Sequence, residues 1–80
     1  MIISAELSFY PLGDNYLPQI KAYIAELNNY GLDVRTHGLS TEIYGEYDAV
    51  MQAINDTTKK SFKTDGAVVL VAKLLNKDRR

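Results

Sequence analysis

Apolar and polar residues alternate at the start of the chain, as they do in a β-strand that buries one face. The apolar positions are Ile3, Ala5, Leu7 and Phe9. The polar positions are Ser4, Glu6, Ser8 and Tyr10. A strand from Ile2 to Tyr10 is therefore predicted, with its apolar face against helices and its polar face on the open side of a sheet.

The next segment carries the signals of a helix that ends at Gly31. Asp14 or Asn15 can cap its first turn, and Pro18 is tolerated only within that turn. Apolar residues at spacings of three, four and three form one predicted buried stripe: Leu17, Ile20, Ile24 and Leu27. Gly31 supplies the left-handed residue that terminates such a helix.

A hairpin is predicted to follow. Leu32 to Thr36 alternates like a half-buried strand. A turn at His37–Gly38 then leads into a second strand from Leu39 to Tyr47. The two segments together make the second and third strands of the chain.

A second helix is expected from Asp48, its natural cap, to about Lys63. Its predicted buried stripe consists of Val50, Met51, Ile54, Thr58 and Phe62. A break at Gly66 separates it from a last extended segment, Ala67 to Leu75.

The order of elements is therefore β-α-β-β-α-β over a single domain, residues 1–80. This is the ferredoxin-like split unit, an α+β fold with a four-stranded antiparallel sheet and two helices on one face. Many unrelated activities use this fold, so the fold does not name the function.

The last strand departs from alternation, because Val68 to Ala72 is apolar on both faces. Such a pattern is typical of a strand covered on both sides. The usual strand order 4-1-3-2 nevertheless places it at an edge, where an exposed apolar strand invites pairing with another chain. A homodimer or homotetramer is therefore expected.

Composition narrows the functional classes. The chain has 80 residues, no cysteine and a net charge of −1 with both signs interspersed. Disulfides and thiolate metal sites are excluded, and no strong field attracts nucleic acid. No secretory signal or membrane-spanning apolar run is present, so a cytoplasmic protein is expected.

Catalytic signals are nearly absent. The single histidine, His37, lies at a predicted turn and has no second histidine or cysteine as a partner. It is interpreted as a turn or interface residue, with ligand contact as the lesser alternative. No serine lies in a nucleophile elbow, and no glycine-rich phosphate loop occurs. Glu6 and Glu42 can come close on adjacent strands, but such a pair is more often a surface feature than a catalytic dyad. We therefore predict that the chain is not an enzyme and has no cofactor or metal.

The polar face of the first strand is the most distinctive candidate site. It would neighbour either Ser40, Glu42, Tyr44 and Glu46 or the alternate set Thr41, Ile43 and Gly45 on the third strand. Carboxylates, hydroxyls and tyrosine rings suit a flat, polar, cationic ring compound. The alternative is a solvated sheet face or a polar subunit interface, and the spacing of the residues alone favours this alternative.

Two long segments carry a resemblance to a known family. Ala5 to Gly13, with Tyr16-Leu17-Pro18 entering a helix, resembles the start of the YkoF-like thiamine/hydroxymethylpyrimidine-binding family. Leu39 to Glu46, followed by Asp48 and Val50-Met51, is similar to that family's signature before its second helix. The resemblance covers nearly the whole chain, in order and with matching gaps.

The resemblance implies a non-catalytic protein that binds thiamine or its hydroxymethylpyrimidine precursor and assembles into dimers or tetramers. The positions that match polar family positions, and are therefore expected to bind ligand, are Glu6, Ser8, Ser40, Thr41 and Glu46. The last strand is more apolar than the family's usual version. Because Ser40 and Thr41 point to opposite faces of one strand, at most one of them is expected on the ligand's surface unless a bulge intervenes.

Two functions stay open at this point. One is a small-molecule binder. The other is an oligomeric interaction or regulatory module with no ligand. A polar-lined cavity near Ser8 and Thr41 would favour the first, whereas a dry apolar sheet face would favour the second.

Overall fold

The computed structural model describes all 80 residues, and its elements follow the predicted order. The strands are β1 (Ile2–Pro11), β2 (Asp33–Thr36), β3 (Thr41–Glu46) and β4 (Val68–Leu75). The helices are α1 (Tyr16–Leu27) and α2 (Tyr47–Ser61), and a single 3₁₀ turn, Asn28–Tyr30, follows α1. The ferredoxin-like α+β prediction is therefore confirmed.

The sheet is antiparallel throughout and has the strand order β2-β3-β1-β4. β1 is central, with Glu6 opposite Glu42 on β3 and opposite Lys73 on β4. This register places Ser40, Glu42 and Tyr44 on the same face as Ser4 and Glu6, because side chains alternate along each strand. The even-numbered set of β3 therefore faces the open side of the sheet, and the odd-numbered set faces the helices.

The core lies between the inner face of the sheet and the two helices. Its buried members are Ile3, Ala5, Leu7, Tyr23, Leu27, Ile43, Val50 and Ile54. The apolar face predicted for β1 is confirmed, since Phe9 also packs against this cluster. Gly45 allows close approach between layers: a Cβ there would lie 2.7 Å from Cδ2 of Leu32.

Both predicted helix stripes are partly wrong. In α1 the buried residues are Tyr23 and Leu27, whereas Leu17 is half exposed. The Tyr23 ring stacks on Phe9 with centroids 4.3 Å apart, so an aromatic residue occupies the space that periodicity assigned to aliphatic ones. In α2, Ala53 and Thr57 are buried and Phe62 is exposed; the Thr57 hydroxyl is satisfied by donating to the Ala53 carbonyl at 2.7 Å.

The helix boundaries correct two further details. Asn15 occupies the N-cap position of α1 without a side-chain hydrogen bond, and Pro18 lies in the first turn as predicted. In α2 the N-cap residue is Glu46 and Asp48 lies in the first turn, so the prediction of Asp48 as the cap is wrong. α1 itself ends at Leu27, and the predicted left-handed residue Gly31, with φ 69°, ends the 3₁₀ turn that follows it.

Candidate functional site

A notch in the sheet lies beside β1, next to the predicted site residues. β3 pairs with β1 only as far as Leu7 opposite Thr41, whereas β4 follows β1 to Pro11. The segment Ser8–Pro11 therefore has a strand on one side only. The missing length of β3 leaves the notch.

The notch opens into a cavity of about 510 Å³. Its floor is β1 from Glu6 to Tyr10, one wall is the inner side of α1, and the other is the hairpin segment Thr36–Thr41. The helix wall consists of Ile20, Tyr23 and Ile24. The cavity therefore touches both layers of the fold.

The main chain of Phe9 points into this notch. Leu12 N donates to the Ala67 carbonyl at 2.9 Å, which continues the β1–β4 register and marks a hydrogen-bonded pair. Because alternate residues of a strand direct N–H and C=O to opposite edges, even-numbered residues of β1 face β4 and odd-numbered ones face β3. Phe9 is the odd residue beyond Leu7, so its N–H donor and C=O acceptor face the cavity with no strand opposite.

Four of the five predicted site residues line the cavity: Glu6, Ser8, Ser40 and Thr41. The Ser40 hydroxyl donates to Oε2 of Glu6 at 3.1 Å, and the Lys73 ammonium lies 3.4 Å from Oε1 of the same carboxylate. Glu6 therefore holds a carboxylate at the cavity floor, oriented by two neighbours.

Ser40 and Thr41 both line the cavity, although the sequence argument allowed only one of them. They do point to opposite faces: Ser40 shares the open face with Glu6, and Thr41 is buried on the helix side. The notch lies where β3 begins and is open to both faces of the sheet. Side chains that alternate between the two faces can therefore both line it.

Glu46 is not brought to the cavity. It lies at the opposite end of β3, where its Oε1 accepts from the N-terminal ammonium of Met1 at 2.7 Å. It also occupies the N-cap position of α2. Its contact with Met1 therefore lies far from the other four predicted site residues.

Sequence reasoning missed the helix wall of the cavity and the Phe9 main chain. Tyr23 carried a weak signal, since it lies one turn before the buried Leu27. The Phe9 signal depends on where β3 stops, which no local pattern reports. His37, interpreted from the sequence as a turn or interface residue with ligand contact as the lesser alternative, also lines the cavity.

His37 belongs to a short polar network on the open face. Its Nε2 lies 3.3 Å from Oε1 of Glu42, and the Tyr44 hydroxyl donates to the same oxygen at 2.6 Å. The Tyr44 hydrogen bond is the main reason that the pKa of Glu42 is lowered, with His37 contributing next. The same bond raises the pKa of Tyr44.

The C-terminal residues Asn76–Arg80, here called the strap, cross the other end of the open face. The Ser4 hydroxyl donates to the Lys77 carbonyl at 2.7 Å and accepts from the Arg79 amide at 2.9 Å. The Arg80 guanidinium lies 5.5 Å from the centroid of the Tyr44 ring and pairs with Asp78 at 2.9 Å. These contacts leave Ser4 buried, although it belongs to the open face.

The strap should loosen in acid. Hydrogen bonds from the Arg80 side chain and main chain lower the pKa of Asp78 from 3.8 to about 2. Because the pKa of Asp78 is depressed in the folded chain, the stability that the Asp78–Arg80 contact gives the strap is fully present above pH 3.8. That stability is lost as the pH falls toward about 2. Hydrogen exchange at the Arg79 amide should accelerate over that range, relative to amides of the β1–β3 pairing. An Asp78→Asn chain should lose this pH dependence, and unchanged dependence in that variant would contradict the assignment.

No cluster of three or more histidine, cysteine or acidic side chains is arranged to hold a metal ion. None of the helices has the length and apolar character needed to cross a membrane. The cavity instead combines one carboxylate, a free main-chain donor and acceptor, aromatic rings and six hydroxyl side chains, which are Ser8, Tyr10, Tyr23, Thr36, Ser40 and Thr41. Together with the fold, these features define a small ligand-binding domain of ferredoxin-like build.

The chain belongs to the thiamine-binding protein family, whose sequence profile matches residues 5–79. This match confirms the resemblance to YkoF-like proteins. No protein with a curated description matches the chain significantly.

Solved structures share the fold at low sequence identity. A Thermotoga maritima protein provisionally assigned to thiamine biosynthesis or salvage has a TM-score of 0.85 and 14% identity, over 96% of this chain and 85% of that one. A Streptococcus pneumoniae protein has a TM-score of 0.89 and 21% identity, over 99% and 90% of the two chains. A hypothetical protein of Methanocaldococcus jannascii has a TM-score of 0.82 and 24% identity, over 99% and 84%.

Proposed function

We propose that this chain is a non-catalytic binding protein for thiamine or its hydroxymethylpyrimidine precursor, and that the ligand occupies the cavity beside β1. The observation that carries the proposal is the convergence of Glu6, Ser8, Ser40 and Thr41 on one cavity of about 510 Å³. That volume lies within the roughly 300–1,000 Å³ of small-molecule sites. Family membership supports the same class of ligand.

The chemistry of the cavity suits an aminopyrimidine. Such a ring presents an amino donor and ring-nitrogen acceptors in one plane. The Glu6 carboxylate and the Phe9 carbonyl are acceptors for the amino group, and the Phe9 N–H and the Ser8 hydroxyl are donors for the ring nitrogens. A strand main chain is rigid, so this donor–acceptor pair is preorganised.

Carboxylates and an aromatic ring at the mouth of the cavity favour placing the positive charge of a thiazolium ring there. Glu6 and Glu42 face each other across the β1–β3 pair, so two carboxylates lie on the open side. The Tyr10 side chain, half exposed at the rim, offers an aromatic surface for stacking or cation–π contact. Thiamine should therefore bind more tightly than the uncharged pyrimidine.

Membership of a thiamine-binding protein family favours binding over turnover. The only imidazole, His37, contacts Glu42 but no hydroxyl nucleophile. A serine or threonine nucleophile would need a base within hydrogen-bond reach. Ser40 meets this condition only through Glu6, a carboxylate that Lys73 also contacts.

Calorimetric titration tests the proposal directly. Thiamine and hydroxymethylpyrimidine should each bind the parent chain at one site, and Ser8→Ala and Thr41→Val should each weaken binding about fivefold to tenfold through loss of one hydrogen bond. Thr41→Val keeps the buried shape of the side chain, so folding is preserved. A parent chain that binds neither compound would reject the function, and two variants with parental affinity would reject the site.

We also propose that the chain assembles with itself through β4. The exposed residues of this edge strand include Val69, Val71, Leu74 and Leu75. The register places the N–H and C=O groups of the even-numbered residues 68–74 on the outer edge, where no strand pairs with them. An apolar edge with free hydrogen-bonding groups favours strand addition by a second copy.

Val71→Lys should weaken this association by at least tenfold, or about 1.4 kcal/mol, because a charge would enter the contact. Val71 is exposed on the open face, so the substitution leaves the core intact. Leu70 is less suitable, since it packs against the core cluster. Sedimentation equilibrium should show an oligomeric parent, and Tyr16→Lys at the start of α1 serves as the control. A monomeric parent at micromolar concentration would contradict the proposal.

A further inference from the structure

The strap is held on the open face of the sheet by main-chain and side-chain contacts, on a docking surface here called the seat. Its main chain is held by both hydrogen bonds of the Ser4 hydroxyl, at 2.7 Å and 2.9 Å. Its side-chain anchor is Arg80, which contacts the Tyr44 ring and lies 3.4 Å from Oδ2 of Asp33. An aromatic face with a carboxylate beside it is a typical guanidinium seat.

The seat is connected to the cavity by consecutive side-chain contacts. The Tyr44 ring carries Arg80, and the Tyr44 hydroxyl donates to Oε1 of Glu42 at 2.6 Å. That same oxygen lies 3.3 Å from Nε2 of His37, which lines the cavity. One carboxylate oxygen is therefore shared between the residue under the strap and the residue at the cavity wall.

We propose that the strap is a releasable cover whose docking on Tyr44 is coupled, through Glu42, to the position of His37 at the cavity wall. Tyr44 is only 6% exposed although it lies on the open face. Release of the strap removes Arg80 from this ring and leaves the Arg35 guanidinium, 5.3 Å from the ring centroid, as the remaining cation on it, so the ring gains room to shift. The hydrogen bond to Glu42 then changes, and with it the Glu42–His37 contact.

The coupling gives the strap a role at the ligand site, and this step rests on the proposed function. A cationic ligand beside Glu6 and Glu42 would carry the same charge as the Arg80 guanidinium, which pairs with Asp33 and Asp78 on the same side of the sheet. The two cations therefore oppose each other, and release of the strap should favour the ligand. By reciprocity, the ligand should favour release of the strap by the same factor.

A ligand-free experiment tests the coupling first. His37 is the only histidine, so its imidazole signals in an NMR spectrum report the cavity wall without overlap. Arg80→Ala should move these signals, and it should accelerate hydrogen exchange at the Arg79 amide about fivefold as the strap is released. Lys77→Ala is the matched control, because it removes a cation from the strap while Lys77 docks through its main-chain carbonyl.

Tyr44→Phe identifies the route of the coupling. This variant keeps the ring under Arg80 but removes the hydroxyl that donates to Glu42. In the Tyr44→Phe chain, Arg80→Ala should still accelerate exchange at Arg79, whereas the His37 signals should no longer respond. His37 signals that ignore Arg80→Ala in the parent, or that respond equally without the Tyr44 hydroxyl, would overturn the proposal.

Thiamine titration provides the second measurement. Arg80→Ala should tighten thiamine binding about twofold to fivefold, as expected for a partly screened charge, and Lys77→Ala should leave it unchanged. Equal affinities in the parent and Arg80→Ala chains would overturn the link to the ligand. If the parent binds no thiamine, the proposed function fails, while the His37 measurement still decides whether the strap is coupled to the cavity wall.

Discussion

Glu6→Gln should weaken thiamine binding about tenfold to hundredfold. The carboxylate lies at the cavity floor, where Ser40 and Lys73 hold its two oxygens in place. A hydrogen bond to a charged group contributes about 1.5–3 kcal/mol, and the amide of glutamine offers only one neutral acceptor. The loss should be larger for thiamine than for hydroxymethylpyrimidine, because only thiamine carries the fixed positive charge.

Glu46→Gln is the matched control for this experiment. It makes the same chemical change on the same sheet, but Glu46 lies at the other end of β3 and contacts Met1. Its thiamine affinity should equal that of the parent. The Glu6 side chain is about 41% exposed, so both variants should unfold near the parental denaturant midpoint. Parental affinity in Glu6→Gln would assign the acceptor role to the Phe9 carbonyl instead.

Leu27→Ala should lower the free energy of unfolding by about 2–5 kcal/mol. Leu27 is fully buried in the last turn of α1 and belongs to the core cluster. Removing its side chain leaves a cavity between the helix and the sheet. In a domain of this size the loss is a large part of the total stability, which is typically about 5–15 kcal/mol.

Leu39→Ala provides the contrast, since Leu39 is 92% exposed at the hairpin turn. Its effect should stay within about 0.5 kcal/mol. Urea unfolding followed by circular dichroism measures both variants. A loss below about 1 kcal/mol for Leu27→Ala would mean that α1 closes onto the space left behind.

The helix stripes show where periodicity stops being informative. Spacing correctly places Ile20, Ile24 and Leu27 on one side of α1, but it cannot rank a tyrosine against a leucine. Tyr23 is buried because its ring stacks on Phe9 and its hydroxyl lies 3.3 Å from Oγ1 of Thr58 on the other helix. Those partners come from distant parts of the chain, so no local window contains them.

The ligand site divides in the same way. Alternation along β1 determines that Glu6 and Ser8 share a face, and the order of elements makes β1 and β3 neighbours. These are local or topological facts, and the sequence contains them. Family resemblance adds Ser40 and Thr41, and the match over residues 5–79 supports the family.

By itself, then, the sequence determined the order of elements, the inward face of β1 and the end of the first helical segment at Gly31, because each depends on neighbouring residues. Tertiary structure alone decided that β3 begins only at Thr41, opposite Leu7, while β1 continues to Pro11. That difference in length opens the cavity and leaves the Phe9 main chain facing it without a pairing strand. It also allows both Ser40 and Thr41 to line the cavity. Glu46 lies at the far end of the sheet for a local reason, since it is the last residue of β3 and a strand advances about 3.3 Å per residue. The pairing of β3 with β1, by contrast, is a long-range property fixed by packing.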